Sequence, residues 1–259
     1  MIQFQNEYVT VFQSVLYQTT SAVIQTEQAV ILTDPNWLPS EIGTIKSYIE
    51  HIIGERQLYI IYTHSDFDHI IASGAFPLAR TIASEAFVNR ANKETVLEEI
   101  RDFDAQYYVT RNYPVIYPNI DLVICEDGQQ VMLGDMLCSF YFAPGHTEDG
   151  IFTIVEPLGI FLAGDYLSDV EFPFISDYAA YVATLDKAQQ LVEKFSVGVL
   201  VPGHGQTTTQ RLEMDKRIAE SQHYLLDLKR GIDQEPYLMQ RYPYYRSLKE
   251  MHESNKKAL

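Results

Sequence analysis

Hydrophobic residues along this chain occur in short runs separated by polar or glycine-containing turns, and most runs have the composition of buried strands. Residues 8–33 alternate between such runs and polar turns. Residues 29–33 and 59–62 are rich in β-branched and aromatic side chains, which favour strands. Between them, residues 38–53 predict a helix, with polar residues near its start and Gly54 as its stop. The first part of the chain therefore predicts strands followed by a helix.

The rest of the chain repeats this order. Residues 70–76 predict a short helix that Pro77 ends, and residues 84–108 predict a longer, charged helix. A meander of strands follows over residues 121–125, 130–133, 136–142, 151–155 and 159–163, with Asp127-Gly128 as a hairpin turn. A strand over 197–201 and helices over 179–195 and 211–230 complete the chain. Sheet then helix, twice, predicts an α/β fold of two sheets between helices, an αββα sandwich.

The largest concentration of potential metal ligands follows the end of the strand predicted over residues 59–62. The stretch from His64 to His69 carries four potential metal ligands, which are His64, Asp66, Asp68 and His69. Three further strand-like segments each end in a Gly or Pro-Gly turn that presents one more ligand-type residue: His146, Asp165 and His204. Imidazole and carboxylate are the groups that hold Zn, Fe or Mn in proteins. Functional side chains commonly sit on loops at the ends of rigid elements. The pattern predicts a site for two metals at one edge of the sheets.

Each of these pieces also has an ordinary structural interpretation. A lone His-x-Asp is usually a surface loop, a lone Pro-Gly-His is usually a turn, and Asp165 after a glycine is compatible with a helix cap. The occurrence of all these motifs in one chain favours the metal site, because the chain has only seven histidines and four of them fall in these loops.

The ordered set resembles the metallo-β-lactamase superfamily, whose pattern is His-x-His-x-Asp-His followed by a distant His, a bridging Asp and a last His. The resemblance runs from about Ala22 to Gly205. It implies a four-layer αββα fold over a single domain, residues 1–259, of which 206–259 form a C-terminal helical extension. It also implies a first metal site of His64, Asp66 and His146, a second of Asp68, His69 and His204, and Asp165 as a bridge. Asp34 would pack beneath the metal loop, or serve only as a turn residue before Pro35.

Asp66 departs from the family pattern, which has His at this place. A carboxylate is a harder ligand than imidazole and adds negative charge, so it shifts the expected preference toward Fe or Mn relative to Zn. The di-iron flavoproteins of the superfamily resemble this arrangement, with Glu at that position. The expected cofactors are two divalent transition metals (Zn, Fe or Mn). A one-metal protein, with the first site poorly occupied, is the alternative.

The composition restricts the classes of binding partner that we expect for this protein. Nineteen basic and 35 acidic residues give a formal charge of −16, which repels phosphate backbones and argues against a nuclease. No apolar run is long enough for a membrane span, and the start lacks the features of a signal peptide, so a cytoplasmic protein is expected. Aromatic side chains in two segments, residues 84–118 and the tail over 237–245, would shape a pocket for a small, partly apolar substrate. Packing on the core, or a contact in a homodimer, is the alternative for each of them.

The resemblance and the residues together predict a metal-dependent hydrolase of a small ester, thioester or lactone. A hydroxide held by two metals would attack the substrate, with Asp68 and Asp165 as catalytic carboxylates that orient it and pass its proton on. The best-known β-lactamases have Cys where Asp165 stands, so antibiotic hydrolysis is not expected. A phosphodiesterase of a small metabolite, a di-iron redox protein and a non-catalytic ligand sensor remain open alternatives.

Overall fold

A mixed seven-stranded sheet forms the first half of the protein. The computed structural model describes all 259 residues. Strands β1 to β4 pair antiparallel and β4 to β7 pair parallel, in chain order across the sheet. The strands are β1 (Ile2–Gln5), β2 (Val9–Gln13), β3 (Thr20–Gln25), β4 (Ala29–Thr33), β5 (Gln57–Ile61), β6 (Arg80–Ser84) and β7 (Leu122–Ile124). The helices along this half are α1 (Pro39–Ile53), α2 (Phe67–Ile70), α3 (Glu85–Asn89) and α4 (Lys93–Gln106), with a 3-10 turn at Ser73–Ala75.

A five-stranded sheet forms the second half. Its order is β12-β11-β10-β9-β8, antiparallel except for the parallel pair of β11 and β12. The strands are β8 (Gln129–Leu133), β9 (Met136–Phe142), β10 (Ile151–Glu156), β11 (Ile160–Leu162) and β12 (Val199–Val201). The helices are α5 (Tyr178–Lys194), α6 (Arg211–Lys229), α7 (Glu235–Arg241) and α8 (Tyr245–Asn255). None of the eight α-helices combines the length and apolar character needed to cross a membrane.

Three hydrophobic clusters hold these layers together. The first sheet packs against α1 and α4 through residues such as Ile45, Ile60 and Ile100. The two sheets pack face to face through residues such as Ile31 and Phe140. The second sheet packs against α5 and α6 through residues such as Phe161, Leu185 and Leu225. The order helix, sheet, sheet, helix confirms the predicted αββα architecture.

Several predicted elements are wrong in detail. The helix predicted over 84–108 is two helices, because Arg90 leaves the helical region and residues 90–92 separate α3 from α4. The strand predicted over 121–125 pairs with β6 in the first sheet and does not belong to the meander. Asp127-Gly128 therefore connects the two sheets, and the hairpin turn between β8 and β9 is Gly134-Asp135. The short helix predicted over 70–76 is replaced by α2 and the 3-10 turn.

Candidate metal centre

The ends of four strands meet at one edge of the two sheets and carry the ligand-type residues. The loop after β5 places His64 and Asp66, and its continuation into α2 places Asp68 and His69. The ends of β9, β11 and β12 lead to His146, Asp165 and His204, respectively. All but Asp66 are largely buried, while the Asp66 side chain is 35% exposed. The structure thus brings together all seven residues that the sequence singled out.

Three overlapping groups of these residues could hold a metal ion, and one of them, His64, His69 and Asp165, spans the other two. His64, Asp66 and His146 form the first ligand group, and Asp68, His69 and His204 form the second ligand group. Within each group the ligand atoms lie within 4.8 Å of one another. The grouping coincides with the division that the sequence resemblance implies.

Asp165 lies between the two groups. Its Oδ2 is 3.5 Å from His64 Nε2 and 3.2 Å from His146 Nε2 on one side. The same oxygen is 3.3 Å from His204 Nε2, and Oδ1 is 3.0 Å from His69 Nε2 on the other side. One carboxylate therefore faces imidazoles of both groups, which is the geometry that a bridging ligand requires.

All four imidazoles are oriented by a partner on Nδ1. His146 Nδ1 donates to the Phe174 carbonyl at 3.0 Å, and His204 Nδ1 donates to the Tyr17 carbonyl at 2.9 Å. His69 Nδ1 donates to Asp34 Oδ2 at 3.0 Å. His64 Nδ1 lies 3.1 Å from Thr63 Oγ1, whose own hydrogen goes to Asp34. With Nδ1 as the donor, each neutral imidazole has its Nε2 lone pair free toward the centre.

The inward-facing nitrogens lack the hydrogen-bond partners that buried polar atoms normally have. His64 Nε2 and His146 Nε2 are buried without a partner, as is Asp165 Oδ1. His69 Nε2 and His204 Nε2 lie 3.4 Å apart, although in the oriented tautomers neither carries a hydrogen for the other. Buried polar atoms without partners are costly, and a cation between them would satisfy them. The donor set therefore fits a pair of metal ions.

The electrostatics of the metal-free site favour cations. Burial is the largest single effect and lowers the pKa of His69 and His204, but the carboxylates around them, Asp165 foremost, together raise the pKa of each well above its usual value. Burial alone would raise the pKa of Asp165, but His204 and His69 hold it well below its usual range. Carboxylates that attract protons onto neighbouring imidazoles attract metal ions in the same way.

Asp34 supports this centre from below. Its carboxylate accepts hydrogen bonds from the Thr63 backbone N–H at 2.8 Å, the Thr63 hydroxyl at 2.6 Å and His69 Nδ1. Asp34 is buried and its φ is +38°, a region that Asp tolerates better than most residues. Of the two interpretations of Asp34, the structure supports the one in which it packs beneath the metal loop. Partners of this kind fix the tautomer and orientation of ligating imidazoles.

Arg90 is a neighbour of the site that the sequence did not reveal. Its Nη1 donates to the Ser65 carbonyl at 3.0 Å and lies 3.8 Å from Asp66 Oδ1. Ser65 in turn donates its hydroxyl to Asp149. The other oxygen of Asp66, Oδ2, faces His146 Nε2 at 3.3 Å. Arg90 therefore offsets part of the charge that Asp66 adds. Arg90 directly follows the short helix α3. This part of the sequence contains many charged residues, so a single arginine in it does not indicate a site.

Gly203 has a clear steric reason to be glycine. A Cβ at this position would lie 2.2 Å from Asp165 Oδ1 and 2.9 Å from the Gly164 carbonyl carbon. The Gly203 N–H also donates to the Gly164 carbonyl at 2.6 Å. The backbone of the His204 loop therefore passes directly against the Asp165 loop, and no side chain fits between them.

The aromatic residues divide between the site and the core. Tyr17 lies beside the site, with its ring 5.1 Å from that of the buried Trp37. Trp37 also packs edge-on against Phe67 and Phe103. In contrast, the tail residues Tyr242 and Tyr245 are buried around Phe172 in the core of the second half. For these two tyrosines core packing is the correct interpretation, and a pocket role is wrong.

A small open cleft borders Asp165. Nine residues line it, four of them hydrophobic, and Leu167, Phe172 and Phe174 belong to its wall. One acidic group, Glu171, also lines it, and burial raises the pKa of Glu171 to about 7. A cleft that combines apolar and polar groups next to reactive side chains is a candidate small-molecule site.

The family model of the metallo-beta-lactamase superfamily matches residues 15–204. The chain belongs to the metallo-beta-lactamase superfamily. The matched range covers all seven ligand-type residues and ends at His204, close to the predicted range of about Ala22 to Gly205. Membership confirms the resemblance that the sequence motifs carry, and it indicates a hydrolase.

Two curated relatives resemble part of the chain. The acyl-coenzyme A thioesterase MBLAC2 of Homo sapiens is 27% identical over 165 residues, and that of Bos taurus is 27% identical over 163 residues. Each match covers 59% of this chain and 57% of the relative, so the chain spans little more than half of these relatives' length.

Two solved structures illustrate the shared fold. An archaeal superfamily protein from Sulfolobus tokodaii superposes with a TM-score of 0.59 and 18% identity, covering 85% of this chain and 87% of that one. The inverting sec-alkylsulfatase Pisa1 from Pseudomonas sp. superposes with a TM-score of 0.66 and 13% identity, covering 87% of this chain and 41% of that one. At this level of identity the likeness concerns the fold alone.

Proposed function

We propose that the protein is a metal-dependent hydrolase of a small acyl thioester, with small esters and lactones as chemically related substrates. The observation that carries this proposal is the orientation of the four imidazoles. Each has its Nδ1 engaged outside the centre and its Nε2 directed into it, with the Asp165 carboxylate between the two ligand groups. This arrangement supports two metals that share one carboxylate.

The ligand roles follow from the grouping. His64, Asp66 and His146 would hold the first metal, Asp68, His69 and His204 the second, and Asp165 would bridge them. The Asp66 carboxylate in place of an imidazole favours Fe or Mn over Zn at the first metal. Three carboxylates offset most of the charge of two divalent cations, so the loaded site would keep only a small net positive charge.

The reaction itself would follow from this arrangement. When bound, two divalent metals polarise a substrate carbonyl and make water a nucleophile at neutral pH. Asp68, whose Oδ2 lies 3.3 Å from His204 Nε2, would accept a proton from the attacking water and pass it to the leaving sulfur. A C–O bond forms, the C–S bond breaks, and the products are a carboxylate and a thiol.

Two considerations favour a thioester among the possible acyl substrates. The curated relatives in two mammals are named as acyl-coenzyme A thioesterases. A thiol leaving group has a pKa near 8.5 and departs without a strong general acid.

A panel of substrates tests the proposal. Protein loaded with Mn, Fe or Zn would be assayed on acyl-coenzyme A thioesters of increasing chain length, with matched oxoesters, lactones and phosphodiesters. We expect thiol release with the thioesters, and a loss of roughly a hundredfold or more in Asp165→Asn, which removes a charge facing both metals. The fold of that variant should survive, because three apolar clusters hold the layers together.

The exposed His223 provides a matched control. It lies on α6 outside the site with its side chain 65% exposed, so His223→Gln should keep parent activity while His204→Ala loses it. A protein that contains two metals but releases thiol from none of the thioesters would contradict the proposed substrate class. Oxygen consumption by an iron-loaded protein would favour the redox alternative instead.

A further inference from the structure

The C-terminal helices, which lie beyond the part of the chain matched by the superfamily, contact the loop over residues 167–175 with three buried or partly buried side chains. Arg217 on α6 donates to the Leu167 carbonyl at 3.2 Å, and Arg241 on α7 donates to the Asp169 carbonyl at 3.0 Å. Asn255 on α8 donates to the Pro173 carbonyl at 2.6 Å. Each of the three helices therefore provides one side chain that holds the backbone of this loop.

Asn255 makes the most specific of these contacts. Its amide nitrogen donates to the Pro173 carbonyl, and its amide oxygen accepts from the Ile175 N–H at 2.9 Å. The two bonds flank Phe174, the residue whose carbonyl accepts the hydrogen bond from His146 Nδ1 at 3.0 Å. Asn255 is 1% exposed, and its amide nitrogen also donates to the Tyr224 hydroxyl at 2.9 Å.

These contacts connect the last helix to one histidine of the metal centre. The Phe174 carbonyl and the Ile175 N–H belong to one planar peptide unit, so the bond from Ile175 N–H to Asn255 sets the direction of that carbonyl, and the bond to the Pro173 carbonyl holds the preceding unit. That carbonyl keeps the hydrogen on His146 Nδ1 and so leaves Nε2 free. No comparable contact from α8 reaches the second ligand group.

We propose that Asn255 is a positioning residue that orients His146 for the first metal through the backbone of residues 173–175. The proposal rests on the metal site described under the proposed function. It assigns to the C-terminal helices a role in the chemistry of the site, in addition to their packing on the second sheet.

Metal affinity in variants of the full-length protein tests this proposal. Titration of the metal-free protein with Mn or Zn against a chelator should give two binding steps. His146→Ala identifies the step of the first ligand group, and His204→Ala identifies that of the second. Loss of a hydrogen-bonding partner behind a ligand typically weakens metal binding 10–100-fold, so we expect about a tenfold loss in Asn255→Ala, confined to the step that His146→Ala removes.

Tyr224→Phe is the matched control. It removes the hydroxyl that Asn255 and His252 share, but leaves both bonds from Asn255 to the loop in place. We expect lower thermal stability in this variant with both metal steps unchanged. If Asn255→Ala does not fold, Asn255→Leu takes its place, since it keeps nearly the same size, loses both bonds to the loop, and should show the same selective loss.

Three results would overturn the proposal. If Asn255→Ala binds metal with the parent affinity at both steps, Asn255 does not orient His146, although the proposed metal site is unaffected. If Asn255→Ala weakens metal binding equally at both steps, or if Tyr224→Phe weakens it as much, Asn255 contributes only to the general stability of the fold. A parent protein that binds no metal would overturn the proposed function together with this inference.

Discussion

At the scale of single residues, Asp66 distinguishes this site from the superfamily pattern. Its Oδ2 faces His146 and His64, while Oδ1 faces the Arg90 guanidinium. One oxygen is therefore available to a metal while the other interacts with a fixed cation. The chain combines a harder ligand with a nearby positive charge, and both features bear on which metal the first ligand group prefers.

Substituting Asp66 tests its effect on metal choice. Asp66→His restores the imidazole of the family pattern, so the relative affinity for Zn over Mn or Fe should rise, by about tenfold or more if Asp66 ligates directly. Competition between the metals, measured by elemental analysis at equilibrium, checks this. If the variant has the same metal preference as the parent, Asp66 does not determine metal preference as a ligand.

The sequence could reveal the ligands but not the groups that orient them. Seven imidazoles and carboxylates in the family order are visible as side-chain types at strand ends. The partners of His146 and His204 are backbone carbonyls of Phe174 and Tyr17, and every residue has a carbonyl. Only the folded chain shows which carbonyls point at which imidazole.

At the scale of elements, strand ends decide the position of the site. The loops after β11 and β12 lie side by side because these strands pair in parallel, Leu162 opposite Val201. This pairing brings Asp165 next to His204, and Gly203 lets the two backbones meet without an intervening side chain.

A pair of glycine variants tests the close approach of the two loops. In Gly203→Ala the new Cβ would lie 2.2 Å from Asp165 Oδ1, so the carboxylate must leave its place between the ligand groups. We expect the variant to lose most of its metal and, on the best substrate, roughly a hundredfold or more in turnover.

Gly198→Ala is the control for this substitution. Gly198 lies just before β12, and a Cβ there meets nothing within 4 Å, so metal content and activity should match the parent. Both variants would be compared by elemental analysis and by circular dichroism. Parent metal content and parent turnover in Gly203→Ala would contradict the steric account.

Errors in the predicted elements have a common physical cause. Residues 122–124 do form a strand, but composition does not say which strand a three-residue segment will pair with. Residues 84–108 read as one helix because charged residues and apolar residues recur throughout, yet Ser84 caps α3 and Arg90 ends it. Strand pairing and helix breaks depend on tertiary contacts, which overrule local preference.

At the scale of the whole molecule, three apolar clusters hold the layers, and the site lies at their edge. The clusters contain 24, 20 and 19 buried residues, so the two sheets are supported on both faces without a metal. Metal removal should therefore lower the melting temperature, because bound ions stabilise only the folded state, while secondary structure persists.

The central claim is that the seven residues at the strand ends hold two metals. Elemental analysis of protein purified without chelator, before and after reconstitution, tests it most directly. The structure predicts about two metals per chain in the parent, and a loss of about one each in His146→Ala and His204→Ala. Less than about half a metal per chain in the parent, with no gain on reconstitution, would contradict the claim.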